Sequence, residues 1–193
     1  AVAEQAVMLM LMVLRHAVTG HNRVLEGRQI EAKASWSMEG ICELGSMHVG
    51  IIGMGDIGIE TAKLLNAFGC RVSYNKRYPL SPSQEKEYNV TYMSADINTA
   101  RGEVVKNEAL LEALKSGQIA AAGLDVLAPE PVKEDNIVVK AMKNDGELAE
   151  KIVLAPHIGG LTVQTFDKIY GTIWSNFKKV CAGETPVNIV NHP

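Results

Sequence analysis

A chain of 193 residues is long enough to bury one sizeable core, so the expectation is one domain, or one domain with part of another. Apolar residues make up 47% and charged residues 21%, ordinary globular usage that excludes a disordered or fibrous chain. The formal net charge of −3, with no block of like charge, provides no basic footprint, so neither nucleic acid nor a membrane is an expected partner.

Residues 3 to 25 read as one helix, apolar almost all round over Ala6 to Leu14, and a helix of that kind needs protein against both faces. The run is too short to span a bilayer, and Glu4 precedes it where a signal peptide would carry positive charge. We read residues 1–45 as a dimerisation helix and arm, and expect a homodimer. After Gly27 the chain reads as a loop to about His48. Val49, Gly50, Ile51 and Ile52 then form a short apolar run suited to a central parallel strand.

From Asp56 to Phe68 the apolar positions fit a helix packed on a sheet, and Gly69 ends it. A second strand is expected at Arg71 to Asn75, a proline-bearing loop at Lys76 to Glu87, and short extended pieces at Val90 to Met93 and Asp96 to Thr99. A helix follows from Asn107, its expected N-cap, to Ser116, with Gly117 as its stop. Ala121 to Leu127 and Ile152 to Pro156 read as buried strands. The last helix, Thr162 to Ala182, carries Phe166, Ile169, Tyr170, Ile173, Phe177, Val180 and Cys181 on one stripe, which we read as packing. Cys42, Cys70 and Cys181 fit neither a disulfide framework nor a Cys-x-x-Cys metal pair. They read as buried thiols in a reducing cytoplasm, with no metal expected.

Gly53-Met54-Gly55-Asp56-Ile57-Gly58 lies between a predicted strand and a predicted helix. There the first glycine permits the tight turn, the second lets the backbone approach a pyrophosphate, and the third lets helix and strand pack closely. The N–H groups of the first helical turn, beginning at Asp56 and Ile57, together with the helix dipole, suit a diphosphate. The strand, glycine turn, helix and strand define a Rossmann-type doubly wound parallel sheet of the α/β class over residues 1–182, leaving 183–193 as a tail. Asn75 stands 17 residues after Gly58, where an acidic residue usually accepts the ribose hydroxyls. A neutral Asn beside Lys76 and Arg77 attracts a 2′-phosphate that a carboxylate would repel, so NADP(H) is expected over NAD(H), which remains possible.

The chain resembles the D-isomer-specific 2-hydroxyacid dehydrogenases from Val2-Ala3-Glu4 onward. The likeness continues through the glycine turn, Ile97-Asn98-Thr99-Ala100-Arg101-Gly102 and Gly123-Leu124-Asp125-Val126. It ends with Pro129-Glu130-Pro131 and Pro156-His157-Ile158-Gly159-Gly160. The resemblance implies hydride transfer between NAD(P)H and a small 2-oxo or 2-hydroxy acid. In it Arg101 grips the substrate carboxylate, His157 is the acid/base, and Glu130 pairs with the imidazole and stabilises its charged form. It further implies that Asp125 holds the nicotinamide end and that Thr99 and Ala100 line the ring. Gly159 and Gly160 belong to the cofactor site. Without the family, the predicted strand ends already bring Arg101, Glu130 and His157 to the crevice where open α/β sheets bind ligands. The alternative is a catalytically silent, corepressor-like dinucleotide sensor on the same fold, which has no need of these three residues together.

Three departures stand out. The family's substrate domain precedes the Val-Ala-Glu motif, so the lid half is expected outside these residues, with the 183–193 tail returning toward it. Between Ser94 and Asp96 the family carries a further strand-and-crossover unit of roughly 30 residues or more that has no counterpart here. The link from Val132 to Lys151 is longer than the family's and polar, and reads as a surface insertion.

Overall fold

The structure is a computed structural model that describes residues 1–39, 41–93 and 106–189. Its first element, α1 (Val2–Leu14), buries Ala3, Val7 and Leu9. The expected single helix over 3–25 is two: His16 takes a left-handed conformation (φ 48°), and α2 (Ala17–Leu25) leaves at 56° to α1. The His16 ring stacks on Trp36 at 5.1 Å, so the break brings together two side chains that a straight helix would keep apart. Trp36 lies on α3 (Gln29–Glu39), where a loop was expected; buried Ala32 and Trp36 give that weakly patterned segment a packed face. Among the described residues no single helix is long and apolar enough to cross a membrane.

The strand β1 (His48–Ile52) leads through the glycine turn into α4 (Asp56–Ala67) and back to β2 (Arg71–Asn75), which pairs with β1 in parallel register from His48–Arg71 to Ile52–Asn75. The expected loop at 76–87 instead contains α5 (Pro82–Tyr88). Ser81 and Gln84 form a reciprocal capping box there, with Pro82 in the first turn, where its missing N–H costs nothing. Tyr74 fastens this helix to the sheet: its hydroxyl accepts from the Leu80 N–H at 2.8 Å and donates to Glu85 at 2.7 Å. A short β3 (Thr91–Tyr92) completes a three-stranded sheet in the order β1-β2-β3. Its core holds Met54, Ala62, Leu65, Val72 and Tyr74, all nearly or wholly buried.

The second half begins with α6 (Asn107–Lys115), whose N-cap is Lys106 rather than Asn107, and continues to β4 (Ala122–Leu124). Then come α7 (Ile137–Asn144), α8 (Gly146–Lys151) and β5 (Ile152–Leu154), which pairs in parallel with β4. The 132–151 link is not the expected surface insertion. Val138 and Leu148 are 0% and 2% exposed and close a second core with Leu110, Leu114, Leu127 and Ile152. A polar composition hid two apolar residues that the helices turn inward. The predicted doubly wound sheet therefore appears, among the described residues, as two parallel sheets. Between them a groove of about 720 Å³ is lined by α1 residues Gln5 and Leu9, by Gly50 of β1, and by Gly123 and Asp125.

The last helix, α9 (Val163–Cys181), starts at Thr162, whose hydroxyl accepts from the Thr165 N–H. Its predicted apolar stripe is present but not packed: Phe166, Ile169, Tyr170, Ile173, Phe177 and Val180 are 42% to 65% exposed. Helical spacing tells which face wants cover, not that the cover lies among the described residues. Of the three thiols expected to be buried, Cys42 and Cys181 are exposed; only Cys70 is buried, with its Sγ 3.1 Å from the Leu44 carbonyl oxygen.

Two outcomes follow from this packing. Leu148→Ala should destabilise the chain by about 2–5 kcal/mol in urea unfolding, as loss of a core leucine does; an insertion lying on the surface would tolerate it. Burial pushes the Cys70 thiol above its ordinary range, against a smaller opposing backbone hydrogen bond. Brief treatment of the native protein with iodoacetamide, read by peptide mass, should therefore label Cys42 and Cys181 and spare Cys70.

Candidate functional site: the glycine turn and the Glu130–His157 pair

Every predicted site residue that the structure describes lies at or past the carboxyl end of a strand or in the first turn of the helix that follows, where open α/β sheets carry their ligands. At the end of β1, Gly53 has φ 94°, a conformation that an L side chain rarely takes, and its N–H donates to the Asn75 carbonyl at 2.9 Å. Gly58, buried in the first turn of α4, is required by space: an added Cβ would lie 2.2 Å from the Gly53 carbonyl oxygen. Gly53 and Gly55 face open space, with no atom within 4 Å of an added Cβ. Gly55 is the N-cap of α4 and provides no side-chain cap, and Asp56 and Ile57 in that turn are exposed. A cradle that a Cβ would fill, in front of helix N–H groups with no side-chain cap, fits a dinucleotide's diphosphate.

Asn75, Lys76 and Arg77 follow at the end of β2. The Asn75 side-chain amide donates to the Met93 carbonyl at 2.9 Å, tying β2 to the segment after β3. The Arg77 guanidinium lies 5.5 Å from the centre of the Tyr78 ring, a cation–π contact that steadies it.

His157 follows β5 in a left-handed conformation (φ 57°), which costs a residue with a Cβ of the order of 1–2 kcal/mol. Its Nδ1 lies 2.9 and 3.0 Å from the two Glu130 carboxylate oxygens. An ionised carboxylate only accepts, so Nδ1 carries the hydrogen and the opposite nitrogen, Nε2, is left to exchange protons. The two side chains are 59% and 41% exposed, so solvent screens the pair and its value lies in orientation.

Two asparagines hold the segment that carries Glu130. Asn107 and Asn136 donate to the Ala128 carbonyl at 2.7 and 3.1 Å, and Asn136 also caps α7 by accepting the Val138 N–H at 2.9 Å. Sequence reasoning missed both in this role. Asn107 was visible only as an expected cap, and Asn136 only as an Asn ahead of an apolar run.

Asp125, just past β4, accepts the Ile158 N–H at 3.1 Å on Oδ1 and the Gly159 N–H at 2.9 Å on Oδ2. Hydrogen bonds to a carboxylate are worth about 1.5–3 kcal/mol when sheltered, enough to offset the strain at His157. Gly159 is buried against this group: an added Cβ would sit 2.8 Å from Asp125 Oδ2 and 3.3 Å from the Gln5 side chain. Gly160 meets nothing within 4 Å. The structure thus joins Asp125, Glu130, His157 and Gly159 in one turn system, and sets the Gly53–Gly58 turn and Asn75 on the other sheet. Thr99, Ala100 and Arg101 lie outside the described residues. Among the described residues no three His, Cys, Asp or Glu side chains converge as metal ligands would.

A glycine turn feeding an uncapped helix on one parallel sheet, with a carboxylate-tethered imidazole past a strand of the other, marks a dinucleotide-binding α/β protein. Residues 7–96 and 97–159 match the model of the D-isomer specific 2-hydroxyacid dehydrogenase NAD binding domain, and the chain belongs to that family. It is 28% identical to hydroxypyruvate reductase of Blautia hydrogenotrophica over 228 aligned positions, covering 99% of this chain and 68% of the relative. It is 29% identical to glyoxylate reductase of Thermococcus litoralis, covering 99% and 66%. The fold is shared with D-mandelate dehydrogenase of Rhodotorula graminis at a TM-score of 0.80 and 23% identity, covering 100% of this chain and 66% of that one. The chain therefore spans about two thirds of the length of these relatives. The family match comes in two parts that meet between 96 and 97, next to the point where the resemblance implies a further strand-and-crossover unit.

Gly58→Ala should weaken binding of a reduced nicotinamide nucleotide at least about tenfold in fluorescence titration, because the new methyl displaces the Gly53 carbonyl from the diphosphate turn.

Proposed function

We propose that this chain is the nucleotide-binding part of a dehydrogenase that moves a hydride between NAD(P)H and a small 2-oxo acid, giving the D-2-hydroxy acid. The observation that carries the proposal is the Glu130–His157 pair at 2.9 Å, on a fold whose glycine turn suits a diphosphate. The nicotinamide supplies the hydride. His157 Nε2 gives a proton to the carbonyl oxygen as the hydride reaches the carbonyl carbon, and takes it back from the hydroxyl in the reverse direction. Glu130 holds the imidazole in one tautomer and balances its charge. Arg101 serves the substrate carboxylate with a planar two-pronged donor that Lys lacks. The named relatives act on glyoxylate and hydroxypyruvate, and a short 2-oxo acid is the substrate class proposed. A silent dinucleotide sensor would have no use for the tethered imidazole.

For the cofactor, NADP(H) is the proposed preference. Asn75 stands where a carboxylate would repel the 2′-phosphate, and Lys76 with the ring-steadied Arg77 attract it. We also propose a homodimer formed through α1, α2 and α3. These helices expose Met8, Val24, Leu25 and Ile30 at 41%, 55%, 74% and 79%.

Steady-state assays of the intact polypeptide against a panel of 2-oxo acids should give turnover, and His157→Asn should lower kcat by about 10²- to 10⁴-fold. Absence of turnover on every acid would reject the enzyme. Replacing Lys76 and Arg77 together by Ala should lower kcat/KM for NADPH about tenfold or more and leave NADH nearly unchanged. Light scattering at micromolar concentration should give twice the chain mass.

A further inference from the structure

We infer that Gln5 is a positioning residue for the acid–base turn: from the first helix, its amide fixes the Asp125 carboxylate that in turn holds the backbone on which His157 is mounted. The inference rests on the dehydrogenase reading for its functional consequence and on geometry for its physical content.

Gln5, with Glu4 one of the two polar residues of α1, lies between buried Ala3 and Val7. Its Nε2 donates to Asp125 Oδ1 at 3.2 Å across 120 residues of sequence. The same oxygen accepts the Ile158 N–H at 3.1 Å, and its partner oxygen accepts the Gly159 N–H at 2.9 Å. Asp125 therefore has three donors on two oxygens, two from the turn and one from α1. The turn's two donors hold the carboxylate to the turn, and the Gln5 amide ties that joined group to α1. Because α1 packs on α4 and on β4, this third donor anchors the turn to the body of the fold.

The packing is tight enough for the arrangement to matter. Gly159 is buried, and an added Cβ would lie 3.3 and 3.4 Å from Gln5 Cγ and Cβ as well as 2.8 Å from Asp125 Oδ2. The Gln5 stem thus also forms the wall behind the turn. His157, the residue before Ile158, keeps its left-handed conformation only while the two following N–H groups stay engaged, and that conformation points its Nδ1 at Glu130. Loss of the Gln5 donor leaves Asp125 held by the turn alone, loosens the Ile158 and Gly159 amides with it, and lets the imidazole drift from its alignment.

The test uses the intact polypeptide and two variants. Gln5→Leu keeps the volume and removes the donor; Gln5→Lys keeps the methylene stem and returns an N–H donor. Gln5→Leu should lower kcat about tenfold with KM for the 2-oxo acid within about twofold. It should also speed amide hydrogen exchange at Ile158 and Gly159 while leaving exchange in α4 unchanged. Gln5→Lys should recover both. A Gln5→Leu protein with the parent's kcat, or with the parent's exchange at those two amides, overturns the inference. Should the parent turn over no 2-oxo acid, the dehydrogenase reading falls, and the exchange rates alone decide whether Gln5 holds the turn.

Discussion

The Asp125 carboxylate is where three separate pieces of the chain meet: the end of β4, the turn after β5 and the first helix. Carboxylates are costly to shelter unless their lone pairs are filled, and here backbone and amide donors fill them. The turn that follows β5 would otherwise relax, because His157 sits in a region of backbone space that costs a residue with a Cβ. Two hydrogen bonds to consecutive amides hold it there. In this structure Asp125 acts on the histidine's mounting; the nicotinamide contact that the resemblance implies would be made by the same carboxylate.

Around that joint the fold does little more than deliver strand ends. Parallel strands put their carboxyl ends on one rim, so residues distant in sequence gather there without any long excursion of the chain. The first core, built on Leu65, Val72 and Tyr74, supports the glycine turn; the second, built on Leu114, Val138 and Ile152, supports the histidine turn. The helix α1 gives Val7 to the first core and packs on β4 and β5, and the groove between the sheets has Gln5 and Leu9 on one wall. Division of labour between the cores means that damage to one need not distort the other's half of the site.

Much of this was legible from residue order. The second strand, Arg71–Asn75, and the helix from Asp56 came out with nearly their true limits, because a short apolar run, a glycine turn and a terminal glycine each have one easy reading. The pairing of Glu130 with His157 was implied by the family's motifs and is present in the geometry. What failed had identifiable reasons. Prolines at 79 and 82 were read as breakers, although Ser81 and Gln84 around Pro82 spell a helix start. Polar composition concealed the inward-facing Val138 and Leu148. The break at His16 depends on a ring, Trp36, lying 20 residues onward, and no local pattern reports a contact of that kind. Gln5 escaped for the same reason, since its partner is 120 residues away.

The start of α4 has a thermodynamic corollary. A helix whose N-cap is Gly55 forgoes the hydrogen bond that a Ser or Asp would provide there, a sacrifice of a few tenths of a kcal/mol to about 1 kcal/mol relative to the best caps. The donors kept available are the ones an anion completes. Folding and nucleotide occupancy are thereby linked by mass action, so the lifetime of the polypeptide against unfolding and proteolysis rises with the local supply of its own coenzyme.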